Sequence, residues 1–369
     1  TDILPRNSPT KGGATVTVYG FNLGDGSYAG QSARVLSGHS SVLNYEASVS
    51  GTPSNTEMLV VIGVGAGVNK ILQVTVASQS GNSLAPVLIR FDPPNITLVY
   101  PDFGGTMGGD TLTVVGNNFG PGFPPNGGPV AVAYHDQTGF PGDCESISAG
   151  TDPHTVLFCV TKRGAGRGFN LTVTVDSQVA TALAAFSYAA PVVVSLDPNF
   201  SPTAGGGTIT MIGSNFGILD YQTTAQVGDT LCSSVQWFAD SQVECSAPPG
   251  AGGGHKVAVG SDGQYGSRAN MFSYSAPALA SVNVGGLWNQ NVFGPTSGGI
   301  LATVTGVNFG TQDIYSRSAE VGGRNVSQAT FISDTSILIG IPPGGGTQVI
   351  SITVAGQPSD LVLAFNYQP

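Results

Sequence analysis

The side chains able to do chemistry are few in this chain of 369 residues: four cysteines (Cys144, Cys159, Cys232, Cys245) and four histidines (His39, His135, His154, His255). Catalysis or metal binding needs such groups in sets, a base within reach of a nucleophile or several N, O and S ligands converging on one point. The nearest approach to a set is His135 and His154 with Asp136, Asp143 and Asp152. Solvated loop residues are the plainer reading of that group. No G-x-S-x-G turn, H-E-x-x-H helix or Walker-type lysine loop occurs. The glycine-rich runs GVGAG (63–67) and GAGRG (164–168) look superficially like phosphate cradles, but no helix follows to lend its dipole, and both read as hairpin turns. Asp25-Gly26, Asp220 and Asp262-Gly263 lack the spacing of a calcium loop. No catalytic residue, cofactor or metal is therefore expected. Trp237, Trp288 and Tyr315 offer flat apolar faces of the kind that stack on a sugar ring. Trp237 lies in an alternating run and reads as core, which leaves Trp288, inside residues 283–295, as the candidate ligand surface.

Positioning elements emerge from internal repetition. SPTAGGGTITMIGSNFG (201–217) recurs as SPTKGGATVTVYGFNLG (8–24), FGGTMGGDTLTVVGNNFG (103–120) and GPTSGGILATVTGVNFG (294–310). The closing glycines, Gly24, Gly120, Gly217 and Gly310, lie 96, 97 and 93 residues apart, a domain-sized period. A glycine-rich turn before an alternating strand follows each time, and then a closing Phe-x-Tyr (186–188, 272–274, 365–367), varied to RFDPP in the first copy. Alternation such as Leu171-Thr172-Val173-Thr174-Val175 between Gly and Pro signals predicts short strands, and no segment carries a helical stripe. The expected fold is all-β: four tandem immunoglobulin-like sandwiches arranged as a rod, over residues 1–92, 93–189, 190–275 and 276–369, with roughly seven strands each. Ile209 and Met211 should point inward and Thr208 and Thr210 outward, with Phe216, Phe119, Phe309 and Leu23 plugging the sandwich ends. The paired glycines before the strand, and the glycine after Asn-Phe, should take positive φ.

Pro-x-x-Gly-Gly, an alternating strand, Gly-x-Asn-Phe-Gly and a later SAPPG (246–250) or GIPPG (340–344) together resemble the IPT/TIG domain, an immunoglobulin-like sandwich. The resemblance covers essentially the whole chain as four copies. The third is the best match, and its cysteine-bearing run (227–250) looks like copies in extracellular receptors and fibrocystin-like proteins. The first lacks the Pro-Pro-Gly turn and the second carries an insertion, PGFPPNGGP (121–129). The resemblance implies spacer, adhesion or receptor roles.

Aligning CSAPPG with IGIPPG sets Cys245 opposite Ile339 and Cys232 opposite Val326, so a Cys pair replaces an apolar pair at the same separation. We read two intradomain disulfides, Cys144 with Cys159 and Cys232 with Cys245. Four buried thiols are the alternative, and zinc fits less well for want of a C-x-x-C or a nearby His. Sequons stand at Asn95, Asn170 and Asn325, and at Asn199, where Pro202 disfavours use. Disulfides and N-linked glycans both place the chain outside the cell. Charged residues are only 9% and the formal net charge is −10, which leaves no cationic footprint for nucleic acid. No run of about 18 apolar residues and no charged-then-apolar leader occurs, so neither a span nor a signal peptide is expected within the chain, nor direct membrane insertion. Three-residue, Pro-containing joints predict little freedom between neighbours. Both termini fall at a repeat boundary, which suits either a segment of a longer array or copies joined head to tail. The leading expectation is an extracellular, non-enzymatic spacer or filament subunit whose partners are copies of itself or other cell-surface proteins. The alternative is a receptor or adhesion ectodomain binding a protein or glycan.

Overall fold

The computed structural model describes residues 2–25, 30–36, 44–83, 87–123, 130–135, 141–285, 293–360 and 362–368. Among them there is no helix. The chain divides into two compact units, Thr1–Ala189 and Ala190–Pro369. Each unit holds two β-sandwiches, and each sandwich has its own apolar core.

The third sandwich shows the plan. One sheet runs Val192–Asp197, Thr208–Ser214, Gln242–Ser246, Val235–Ala239, all antiparallel. The other runs Phe200–Ser201, Gln264–Tyr274, His255–Ser261, Thr224–Val227, Thr230–Leu231. The opening segment thus serves both layers: it pairs antiparallel in the first sheet, crosses at Pro198, and then pairs parallel with the closing strand, Phe200 opposite Ser273. The second and fourth sandwiches repeat this arrangement. In the first, Asn44–Ser50 pairs with both Glu57–Ile62 and Ser32–Leu36, so seven strands form one continuous sheet beside the small pair Asn7–Ser8 and Arg90–Phe91.

Period-two patterning places side chains as expected. Ile209 and Met211 are fully buried, while Thr208 is exposed and Thr210 half-buried. Phe119, Phe216 and Phe309 are fully buried and Leu23 nearly so. Beneath each phenylalanine a glycine is required. A Cβ on Gly213 would stand 1.9 Å from the Val192 carbonyl oxygen and 2.6 Å from the Phe216 ring, and Gly116 and Gly306 are as tightly covered. At Gly20 the nearest atoms are Leu23 methyls at 3.5 Å, because leucine does not fold back as far as a ring. The paired entry glycines and the closing glycines all have positive φ, and so do the asparagines between them, Asn22, Asn118, Asn215 and Asn308, at 61° to 65°.

The closing tyrosine pins the turn that is Pro-Pro-Gly in the third and fourth sandwiches and Lys-Arg-Gly in the second. Tyr188, Tyr274 and Tyr367 donate their hydroxyls to Lys162 O, Pro248 O and Pro342 O at 2.7, 2.8 and 2.6 Å. Burial, with Tyr315 adding to it, pushes the Tyr274 hydroxyl up to about 12, so it stays a donor at any physiological pH. Phe91 has no hydroxyl. In its sandwich Tyr45 reaches the Ala66 backbone and stacks edge-on with Phe91 at 5.5 Å.

Both cysteine pairs are disulfides, with Cα atoms 5.4 Å (Cys144–Cys159) and 5.8 Å (Cys232–Cys245) apart. Ile339 and Val326 fill the corresponding place in the fourth core. Phe216→Ala should lower the stability of the third sandwich by about 3–5 kcal/mol through the cavity it leaves. Cys245→Ser should cost about 3 kcal/mol by freeing a short loop. Thermal unfolding of the two variants checks both values.

Candidate functional site

The histidine and aspartate group of the second sandwich does not form a solvated cluster. His135 ends a strand opposite Asn170, Asp143 pairs loosely with Lys162 at 3.9 Å, and His154 is buried at 8% exposure. His154 lies in a turn but meets the first sandwich, which corrects its reading as a solvated residue. Among the described residues no three His, Cys, Asp or Glu groups converge as metal ligands. His39, Asp136 and Trp288 lie outside the described residues, as does Gly26. Trp237 is half-buried against the third core and donates its indole N–H to Gly217 O at 3.1 Å. Tyr315 packs on the fourth core beside Arg317, so it and Trp237 serve different sandwiches and form no common platform. His255 shares a 3.0 Å hydrogen bond with Ala251 O and stacks edge-on against Tyr274.

The most densely built polar features are two joints, one inside each unit. Between the first and second sandwiches, Thr10 is 1% exposed. Its backbone N–H donates to Asn118 Oδ1 at 3.4 Å, and its hydroxyl shares a 2.9 Å hydrogen bond with His154 Nδ1. Lys11 donates to Asp152 at 2.6 Å. Ala66, from the GVGAG turn, inserts fully buried into the core of the second sandwich. Gln178 Nε2 donates to Phe91 O at 3.1 Å, and the buried Lys70 ammonium pairs with Asp176. A Cβ on Gly67 would fall 1.8 Å from Asp176 Oδ2, so the turn must carry glycine there.

Between the third and fourth sandwiches the same positions do the same work. Thr203, 1% exposed, donates its N–H and hydroxyl to Asn308 Oδ1 at 3.4 Å each and its hydroxyl to Asp334 Oδ1 at 2.5 Å. Ala251 enters the fourth core, and Gln357 Nε2 donates to Tyr274 O at 3.0 Å. His154 and Asp334 are equivalent, since the Phe119 and Phe309 N–H groups donate to their respective carbonyls at 3.0 and 2.9 Å. The asparagine amide is oriented from within its own sandwich. Asn118 Nδ2 donates to Pro93 O at 3.1 Å and Asn308 Nδ2 to Ala276 O at 3.2 Å, which leaves each Oδ1 for the neighbour's threonine. Sequence reading marked these turns and asparagines as punctuation only. The available signal was the recurrence of Ala in the Gly-Ala-Gly turn and of Gln79, Gln178, Gln264 and Gln357 after each hairpin.

Burial, opposed by Asp152 and assisted by Lys11, holds the His154 imidazole below its ordinary value of 6.5. The Lys11 hydrogen bond holds Asp152 below the usual carboxylate range, so it stays ionised across the same window. With the folded value depressed, the unfolded chain takes up the proton first. The joint is therefore most stable above about pH 6.5 and weakens as the pH falls through that value. Unfolding of the chain across that value should show this slope, His154→Asn should flatten it, and His154→Asp should install the arrangement of Asp334. Thr203→Val should destabilise the other joint by about 1–3 kcal/mol, because Asp334 Oδ1 loses one of its two donors and keeps only the Gly310 N–H.

The front of the first sandwich opens into a groove of about 530 Å³ lined by Ile3, Val18, Leu23, Leu72 and Val76, with Asn22, Asn55 and Gln79 along it. Of the sequon asparagines, Asn95, Asn199 and Asn325 are exposed. Asn170 is half-buried, and its Oδ1 accepts the Ala184 N–H at 2.9 Å.

Comparison with known proteins finds several similar chains. Mouse fibrocystin-L is 28% identical over 255 residues, covering 66% of this chain, and the chain spans only 5% of that protein's length. Among solved structures, the full extracellular region of plexin A4 aligns over 97% of this chain and 29% of its own, at 18% identity and a TM-score of 0.25. A structure with xylogluco-oligosaccharide aligns over 99% and 97%, at 12% identity and a TM-score of 0.34. The surface glycan-binding protein of Prevotella bryantii aligns over 46% and 41%, at 17% identity and a TM-score of 0.34. The model of the IPT/TIG domain matches residues 1–89 and 191–274, the first and third sandwiches. With those matches and the distant homology to fibrocystin-L, the chain is an IPT/TIG-domain protein.

Proposed function

We propose that the chain is a non-catalytic extracellular segment of a receptor or adhesion type, which recognises a protein or glycan ligand on the flanks of its sandwiches. The observation that carries this reading is a repeated exposed aromatic. Phe103, Phe200 and Phe293 stand at one structural position, opposite Ser187, Ser273 and Asn366 in the parallel bridge to the closing strand. They are 63%, 58% and 44% exposed. One exposed phenylalanine needs no explanation. Three at the same register present an apolar ring at a domain-sized interval, the kind of contact that recognition surfaces use. The two disulfides support an oxidising, extracellular setting.

A second reading, a spacer or filament subunit, draws support from the buried polar joints. Electron microscopy separates the two: dispersed particles agree with the receptor reading, regular fibres with the structural one. Glycan-array and protein-array binding tests the ligand. Phe103→Ala with Phe200→Ala should weaken the bound ligand about tenfold or more, and Trp288→Ala tests the remaining aromatic candidate. Binding unchanged in both variants overturns the aromatic surface. Mass spectrometry of secreted material should find glycans at Asn95 and Asn325 and little at Asn170, whose amide is engaged in the fold.

A further inference from the structure

We propose that the chain cuts its own backbone between Asp152 and Pro153, in a turn of the second sandwich whose two sides stay linked by the Cys144–Cys159 disulfide. The site needs no other protein and uses none of the exposed phenylalanines.

The chain has three Asp-Pro bonds, after Asp92, Asp152 and Asp197. An aspartate before proline joins two reactive features. Its carboxylate can close a five-membered ring on its own carbonyl carbon, and the tertiary amide nitrogen of proline leaves readily once it takes a proton. At Asp152 the carbonyl is also polarised. Its oxygen accepts the Thr155 and Val156 N–H groups at 3.1 Å each and the Thr155 hydroxyl at 3.4 Å. Donors so placed stabilise the charge that develops on that oxygen when the carbon is attacked. Asp197 instead lies in a strand, opposite Thr210.

The turn is held from several sides. His154 O and Thr155 O accept the Phe119 and Gly116 N–H groups at 3.0 and 2.9 Å, and Gly150 N–H donates to Val156 O at 2.9 Å. The carboxylate is held as well: Oδ1 accepts the His154 N–H at 3.1 Å and Oδ2 the Lys11 ammonium at 2.6 Å. Nucleophile and carbonyl are thus fixed relative to each other before reaction. Lys11 and His154 are the titratable groups facing Asp152, and the Lys11 hydrogen bond keeps the carboxylate ionised, hence nucleophilic, in mild acid. The other sandwiches lack this pair. Counting back from Asn55, Asp240 and Asp334, whose carbonyls accept the Leu23, Phe216 and Phe309 N–H groups as His154 accepts Phe119, the two positions hold Pro53-Ser54, Phe238-Ala239 and Ile332-Ser333.

In the reaction an Asp152 carboxylate oxygen bonds to the Asp152 carbonyl carbon. The bond from that carbon to Pro153 N breaks, and its electron pair leaves on nitrogen, which takes a proton from solvent. One water then opens the cyclic anhydride, leaving Asp152 as a free C-terminus and Pro153 as a secondary-amine N-terminus. The sum is hydrolysis of one peptide bond. Asp152 and Pro153 are only half-buried, so water reaches them. Cys144 and Cys159 flank the cut, and Ser146–Ala149 pairs with Val156–Val160 across it, so both pieces remain in one sandwich. What changes is the joint, because Asp152, which holds Lys11, and His154, which holds Thr10, end on separate pieces.

The folded, disulfide-intact chain, incubated at about pH 5 and about pH 7.5, is followed by intact mass spectrometry with and without reduction. The unreduced chain should gain the mass of one water, and reduction should release pieces 1–152 and 153–369, faster at the lower pH and at a rate independent of chain concentration. Hydroxylamine in the mixture should trap the anhydride as a hydroxamate on Asp152. Pro153→Ala and Asp152→Ala should each slow the cut about tenfold or more. The unmodified chain unfolded in urea at the same pH should lose the preference for Asp152 over Asp92 and Asp197. An uncut folded chain, equal cutting at the three Asp-Pro bonds of the folded chain, or a rate that rises with chain concentration overturns the proposal.

Discussion

The structure depends on how closely a backbone carbonyl can approach the Gly-x-Asn-Phe-Gly turn. Gly213 lies under the Val192 carbonyl with the Phe216 ring folded against it, and no Cβ fits between them. That contact closes the end of the sandwich, fixes where the strand Thr208–Ser214 stops, and forces the following asparagine into the left-handed region. At the equivalent positions Asn118 and Asn308 the amide oxygen receives the preceding sandwich within each unit. Closure of one core and attachment of its neighbour are thus consequences of a single turn, which is why the turn recurs with so little variation along the chain.

Against that constant frame the acceptor beside the asparagine varies, and its chemistry tunes each joint. A neutral imidazole at residue 154 accommodates Thr10 without a buried charge, at the cost of sensitivity to acid. A carboxylate at residue 334 accepts the Thr203 hydroxyl in its place. One scaffold can in this way vary the chemistry of successive contacts.

Low charge has a structural counterpart. The described ion pairs are few; two have a buried member, Arg317 with Asp313 and Lys70 with Asp176, and the second lies in a joint. Exposed ion pairs contribute little to stability. Cohesion comes instead from alternating apolar strands, ring-over-glycine closure and buried hydroxyls on turn carbonyls, and two of the sandwiches add a disulfide. None of these needs a cleft, and the buried Thr10, Thr203 and closing tyrosine hydroxyls have partners across a turn or a joint.

Much of this was legible in the amino-acid order. Strand patterning, the repeat, the positive-φ glycines, the inward Ile209 and Met211, the plugging phenylalanines and both cysteine pairings follow from local rules, because backbone sterics and period-two burial act over a few residues. Tertiary structure alone decided which polar residues meet. His154 and Thr10 are 144 positions apart and Thr203 and Asp334 131, and nothing local distinguishes His154 from a solvated loop histidine. The alanine of a glycine-rich turn likewise becomes a core residue only when the neighbouring sandwich arrives. Local sequence specifies the shape of each end, and which ends fit together is set by surfaces that exist only once both have folded.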